Sequence, residues 1–180
     1  MKRTPELRTL SEDHHHALVQ ARQLRRATEV DVADSAEAAV KGFLDFWQKD
    51  TALHFRKEEE VLLPVMARYG GDFFSEPFVE MLEDHARIRG LVMQLSDEVI
   101  GGNVRLETLH EIGERLEAHI RLEERVVFPL IEESLPEAAL TELTARLEVK
   151  DAGPRVEPWI PAVELSYAPW PGPGDSEGYD

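Results

Sequence analysis

Two short stretches carry the residue types that could do chemistry. Residues 54–66 read HFRKEEEVLLPVM and residues 119–131 read HIRLEERVVFPLI, sharing His, Arg, two Glu, Val and Pro at equal offsets. Each places a histidine four residues ahead of a glutamate. On a helix that spacing puts both side chains on one face, about 40° apart around the axis. An imidazole and a carboxylate converging in this way can hold a metal ion. The same letters can also be a solvated charge run, and the direction of the face decides between the two.

From His54, Trp47 lies seven back, Val61 seven on and Val65 eleven on, all on its stripe. From His119, Ile112, Val126 and Leu130 occupy the same offsets. Arg56, Arg121 and Glu60 face roughly away. Glu58 and Glu123, the first acid of each run, are therefore inward, while Glu59, Glu60 and Glu124 are expected to make surface ion pairs. Such pairs are individually worth little.

The other half of the chain repeats too. Glu12-Asp13-His14 is matched by Glu83-Asp84-His85. His85 lies on a stripe of Phe78, Met81, Ile88, Val92, Leu95 and Val99. His14 lies on the corresponding stripe of Leu7, Leu10, Ala17, Ala21, Leu24 and Thr28. Centring on His15 instead would bring Arg22 into the core, so His14 is the first choice and His15 the second. His16 and His110 face outward. The chain thus reads as a helix with an inward His followed by a helix with an inward HxxxE, twice.

Six ligand-type side chains on four stripes need partners, because an unpaired ionised carboxylate in an apolar interior is very unfavourable. Four imidazoles and two carboxylates can in principle satisfy one another. A dinuclear centre satisfies them more economically, with two imidazoles on each metal and the two glutamates bridging. The donor set suits iron, manganese or zinc better than calcium, and open positions favour ligand or redox chemistry. No residue stands out as a separate general acid, base or nucleophile, which leaves the chemistry to the metal.

The elements needed to position these residues are legible from turn signals. A first helix runs to about Thr28, starting at Thr4-Pro5 or at Ser11 acting as N-cap. Asp34-x-x-Glu37 opens a second helix that ends at Tyr69-Gly70-Gly71, and Ser75-Glu76-Pro77 opens a third that ends at Gly101-Gly102-Asn103. The fourth reaches about Ser134, and Pro136 opens a short fifth. Pro64 and Pro129 are expected to kink or end their helices. No strand pattern interrupts the first 150 residues. The expectation is an all-α, up-down-up-down four-helix bundle over residues 1–150. Residues 151–180 hold six of the eleven prolines and two of the three tryptophans. They read as an irregular acidic tail, a linker remnant or a segment that lies across the bundle or binds a protein partner.

With these residues in hand, the sequence resembles the hemerythrin-like (HHE cation-binding) family over about residues 10–134. The paired H-[FI]-R-x-E-E-x-V-[LV]-[LF]-P is the specific signal. The resemblance implies a four-helix bundle with a non-haem di-iron centre, and carries His14, His54, Glu58, His85, His119 and Glu123 over as ligands. It implies binding or sensing of O2 or NO, or handling of peroxide, at two iron ions, with manganese or zinc as alternatives. Oxygen-carrying members place a second histidine one turn after the first on the third helix, and here that position is Arg89. This turns the expectation away from simple oxygen transport, toward sensing, redox chemistry or iron handling. Two rival readings are an iron-storage or iron-responsive module acting through a protein partner, and a metal-free interaction bundle.

The bulk composition narrows the rest. A net charge of −16 argues against nucleic acid and anionic membranes as partners. The absence of cysteine excludes disulfides, thiolate metal sites and cysteine nucleophiles. No apolar run is long enough to span a bilayer, and the start lacks a secretory apolar core. The cytoplasm is the expected location.

Overall fold

The computed structural model describes residues 4–27, 33–72 and 74–147. The expected tail, 151–180, and the boundary before it lie outside the described residues. Within them the chain is helical, without strands. Helix α1 (Arg8–Ala27) is preceded by a 3₁₀ turn, Pro5–Leu7. The start is therefore at Thr4-Pro5, and Ser11 lies inside the helix. Helix α2 covers residues 33–68, α3 is Glu76–Gly101, α4 covers residues 106–134, and α5 is Glu137–Leu147. Helix α4 packs on α1 and α3, and α1 packs on α2. Helix α5 closes one end against the last turns of α2, where Glu142 accepts hydrogen bonds from Arg68 Nη1 (2.9 Å) and the Tyr69 hydroxyl (3.0 Å). Gly102, at φ 68°, adopts the left-handed conformation that ends α3.

Helices α2 and α4 are not uniform. Each widens into a π-helical turn directly at its HxxxE glutamate, Glu58–Leu62 in α2 and Glu123–Val127 in α4. In each, the residue before the proline donates its N–H to the glutamate carbonyl five back: Leu63 to Glu58 and Phe128 to Glu123. The next residue, Pro64 or Pro129, has no N–H, and its ring would collide with the carbonyl four back. Inserting one residue relieves that conflict. The prolines therefore do not end the helices, which continue to Arg68 and Ser134.

The widened turns also move the inward register by one residue. Leu62, Val127 and Ile131 are fully buried. By contrast Val126 and Leu130, expected on the inward stripe, are each 37% exposed, and Val61 is only partly buried. Val65 is buried as expected, and in α1 and α3, which carry no π turn, the stripes around His14 and His85 hold as far as Leu24 and Leu95.

The core is divided in two. One apolar cluster includes Leu24, Phe43, Trp47, Ile88, Leu95, Ile112 and Leu116. The other includes Leu10, Leu62, Met66, Met81, Val127, Phe128 and Leu143. Each large side chain fully buried in them contributes roughly 1.5–3 kcal/mol. Between the clusters lies a single polar layer, one turn thick, to which all four long helices contribute.

Helices α1 and α4 approach closely at Gly113. A Cβ there would lie 2.7 Å from the Ala21 carbonyl oxygen and 2.7 Å from Arg25 Cγ. Gly113→Ala should therefore destabilise the fold by about 1–3 kcal/mol. Gly90 in α3 has nothing within 4 Å of the same position, so Gly90→Ala should stabilise by up to about 1 kcal/mol. Thermal melts of the two variants should move in opposite directions; equal shifts would contradict the packing described.

Candidate metal centre

The polar layer consists of the residues that the repeat singled out. His14, His54, Glu58, His85, His119 and Glu123 are all buried, none more than 4% exposed. His15 and His16 are exposed, so His14 is the member of the triplet that enters the layer. His110 is on the surface beside Glu114.

The imidazoles turn their Nε2 atoms toward the glutamates. Glu58 has His54 Nε2 at 3.3 Å from one oxygen and His85 Nε2 at 3.3 Å from the other. Glu123 has His119 Nε2 at 3.2 Å and His85 Nε2 at 3.8 Å from one oxygen, and His14 Nε2 at 3.0 Å from the other. The ligand-type atoms fall into two overlapping groups, each within 4.8 Å: His14, His54, Glu58 and Glu123, and His85, His119, Glu58 and Glu123. Both carboxylates belong to both groups.

Behind the layer, each Nδ1 faces a second carboxylate. His14 Nδ1 meets Glu124 Oε1 at 2.7 Å, His54 Nδ1 meets Asp13 Oδ2 at 3.2 Å, and His85 Nδ1 meets Glu59 Oε1 at 2.8 Å. His119 Nδ1 faces Asp84 Oδ2 at 3.9 Å, too far for a hydrogen bond. Asp13, Glu59 and Asp84 are tied to cations. Lys57 Nζ reaches Asp13 at 3.0 Å, Arg89 grips Glu59 through two nitrogens at 2.6 and 2.9 Å, and Arg115 reaches Asp84 at 3.1 Å. An Nδ1–H donated outward leaves the Nε2 lone pair directed at the centre, which is the tautomer a metal-binding imidazole needs.

Glu60 pairs with Arg56 and Glu59 with Arg89, as expected, but Glu59 and Glu124 also bond the buried histidines rather than only surface cations. They lie on the flank of the inward stripe and reach histidines on neighbouring helices. The sequence signal was present in the repeat: an Asp directly before the inward histidine of α1 and of α3, and a second Glu directly after each inward glutamate. The supports also obey the repeat. The Asp of each half faces the HxxxE histidine of the same half, and the second Glu bonds the histidine of the other half.

Electrostatics follow from this crowding. Burial alone would drive His54 toward the neutral form, but Glu58 and Asp13 outweigh it and push it up to about 10. For His85, burial is likewise overcome by Glu123, Glu58 and Glu59, again to about 10. Burial opposes ionisation of Glu59, yet His85 and Arg89 hold it down at about 2. His119 differs: burial dominates and lowers it despite the attraction of Glu123. Burial and Glu123 both press Glu58 toward the acid form, and His54 and His85 hold it below the ordinary value; His119, His14 and His85 hold Glu123 well below it against burial.

The layer fits a cation better than it fits itself. All four oxygens of Glu58 and Glu123, and Nε2 of His85 and His119, are buried without a hydrogen bond. The Nε2 atoms of His14 and His54 face each other at 3.0 Å. Two lone pairs cannot be held so close without a proton or a positive ion between them or beside them. Six converging donors, four nitrogen and two carboxylate, match what a borderline divalent ion takes.

No curated protein and no solved structure matches the chain. The hemerythrin HHE cation binding domain model matches residues 6–131, a span that contains every residue of the layer and every carboxylate behind it. With that match over most of its length, the chain belongs to the hemerythrin HHE cation-binding domain family.

Proposed function

We propose that the polar layer is a dinuclear centre for two iron ions, at which the protein binds or senses O2 or NO, or handles peroxide. The observation that carries this reading is the sharing of Glu58 and Glu123 between two four-residue groups. His14 and His54 would serve one ion, His85 and His119 the other, and the two glutamates both. Iron bound there would supply ligand-binding and redox chemistry, as a Lewis acid open to small molecules. What the chain supplies is placement. Asp13, Glu59 and Glu124 fix three of the imidazole rings from behind, and the two apolar clusters exclude bulk water from either side. Arg89, on α3 one turn after His85, serves Glu59 and lies 5.4 Å from the Phe55 ring centre. Its part is to support His85 rather than to ligate.

One observation favours a metal-free bundle as the second reading: His54 and His85 hold protons strongly enough to balance the two carboxylates. The orphaned oxygens weigh against it. Exhaustive chelation separates the two. A metal that binds only the folded state stabilises it by roughly 3 kcal/mol at a hundredfold excess over its dissociation constant. The apo protein should therefore melt well below the loaded one, whereas the metal-free reading predicts no change.

Substitution tests the ligand assignment. His119→Ala and Glu58→Ala should each lower iron content per chain, and full occupancy in both would refute their roles. Of His14→Ala and His15→Ala, only the first should matter for metal. Asp13→Asn and Glu59→Gln leave all six ligands in place but alter carboxylates bonded to a histidine Nδ1, so they should weaken metal affinity by about 10–100-fold with helix content unchanged. Unaltered affinity would show that the outer carboxylates do not tune the centre.

A further inference from the structure

The two halves of the repeat diverge in the layer directly beside the centre, on the Trp47 side. Three residues after His14 stands Ala17, and three after His85 stands Ile88. Three residues before His54 stands Thr51, and three before His119 stands Leu116. The first half thus offers a small residue and a hydroxyl where the second offers two bulky aliphatic side chains. All four are buried. The backbone diverges at the same place. Trp47–Thr51 forms a further π turn, with the Ala52 N–H bonded to the Trp47 carbonyl, whereas the corresponding residues of α4 lie in regular α-helix.

The result is a small cavity of about 10 Å³ against His14, His54 and His119, walled by Ala17, Thr51 and Leu116. It has room for roughly one water-sized molecule. Ile88 is not among its walls. Thr51 is 4% exposed, and its hydroxyl has no hydrogen-bond partner. An unpaired buried hydroxyl is unfavourable by about 1–3 kcal/mol. Asp13 and Asp50 also border the cavity, so its surroundings favour a neutral molecule over an anion.

We propose that this cavity seats the small neutral ligand of the centre, and that the Thr51 hydroxyl donates a hydrogen bond to it. The proposal rests on the dinuclear reading above and deepens it. The ligand is placed beside Ala17 and Thr51, because Ile88, the bulky counterpart of Ala17, forms no part of the cavity wall. Thr51 is a specificity-determining residue: it selects a ligand that can accept a hydrogen bond over one of equal size that cannot.

The test uses full-length, ferrous-loaded protein with nitric oxide as the probe. Thr51→Val keeps the shape and removes the hydroxyl. It should retain wild-type iron content, release nitric oxide about five- to tenfold faster and shift the N–O stretching frequency. Thr51→Ser should restore both values. The metal-free Thr51→Val protein should melt no lower than wild type, since an unsatisfied buried group has been removed. Ala17→Val, which adds two methyl groups to the cavity wall, should slow nitric oxide association. Wild-type release and an unshifted stretch in iron-loaded Thr51→Val would overturn the proposal. Absence of iron from the wild-type protein would instead remove the dinuclear reading, and this proposal with it.

Discussion

Two fully buried carboxylates side by side in the middle of a helical bundle are the constraint on which the rest of this structure depends. Glu58 and Glu123 come from helices that never meet in sequence, and neither has a hydrogen bond to satisfy its oxygens. Left alone, the pair would repel and would each lose its hydration. Four imidazoles surround them, four further carboxylates face those imidazoles, and Lys57, Arg89 and Arg115 brace Asp13, Glu59 and Asp84 in turn. Charge alternates outward in shells. Positive charge placed at the centre makes each shell consistent with the next, and this is the strongest physical argument for a metal.

The π turns belong to the same arrangement. Pro64 and Pro129 stand six residues after the two glutamates, and the chain passes them by widening at the glutamate itself. The carbonyl of each ligand-type glutamate thereby accepts its helix bond from five residues on. This frees the next turn to present Leu62 and Val127 to the cluster that holds Leu10, Met66 and Leu143, while Glu58 and Glu123 face the layer. A regular helix carrying the same residues would point Val126 and Leu130 inward and leave Ile131 outside.

Much of this was legible in the sequence, for physical reasons specific to each part. Helix ends were readable because Ser75, Pro77 and Gly102 act through local backbone geometry. His14, His54, Glu58, His85, His119 and Glu123 were readable because a polar residue on an apolar stripe has few explanations, and a repeat multiplies the signal. The shift from Val126 to Val127 was not, since periodicity assumes 3.6 residues per turn and the widened turn breaks that assumption. The bonds of Glu59 and Glu124 to buried histidines were missed for a related reason. A residue 100° from the stripe faces a neighbouring helix rather than solvent, and where it goes depends on packing that no single helix contains. The Ala17–Thr51 and Ile88–Leu116 difference was present in the letters, but became meaningful only once the four positions met in one layer.

The most direct test of a two-metal layer is the metal-to-protein ratio of wild-type protein purified without added metal, and again after anaerobic loading with ferrous iron. Two overlapping ligand groups predict about two irons per chain, taken up at saturation and removed together by chelation. A chain that takes up no iron, and no manganese or zinc in its place, would contradict the account and leave the layer a self-paired polar core.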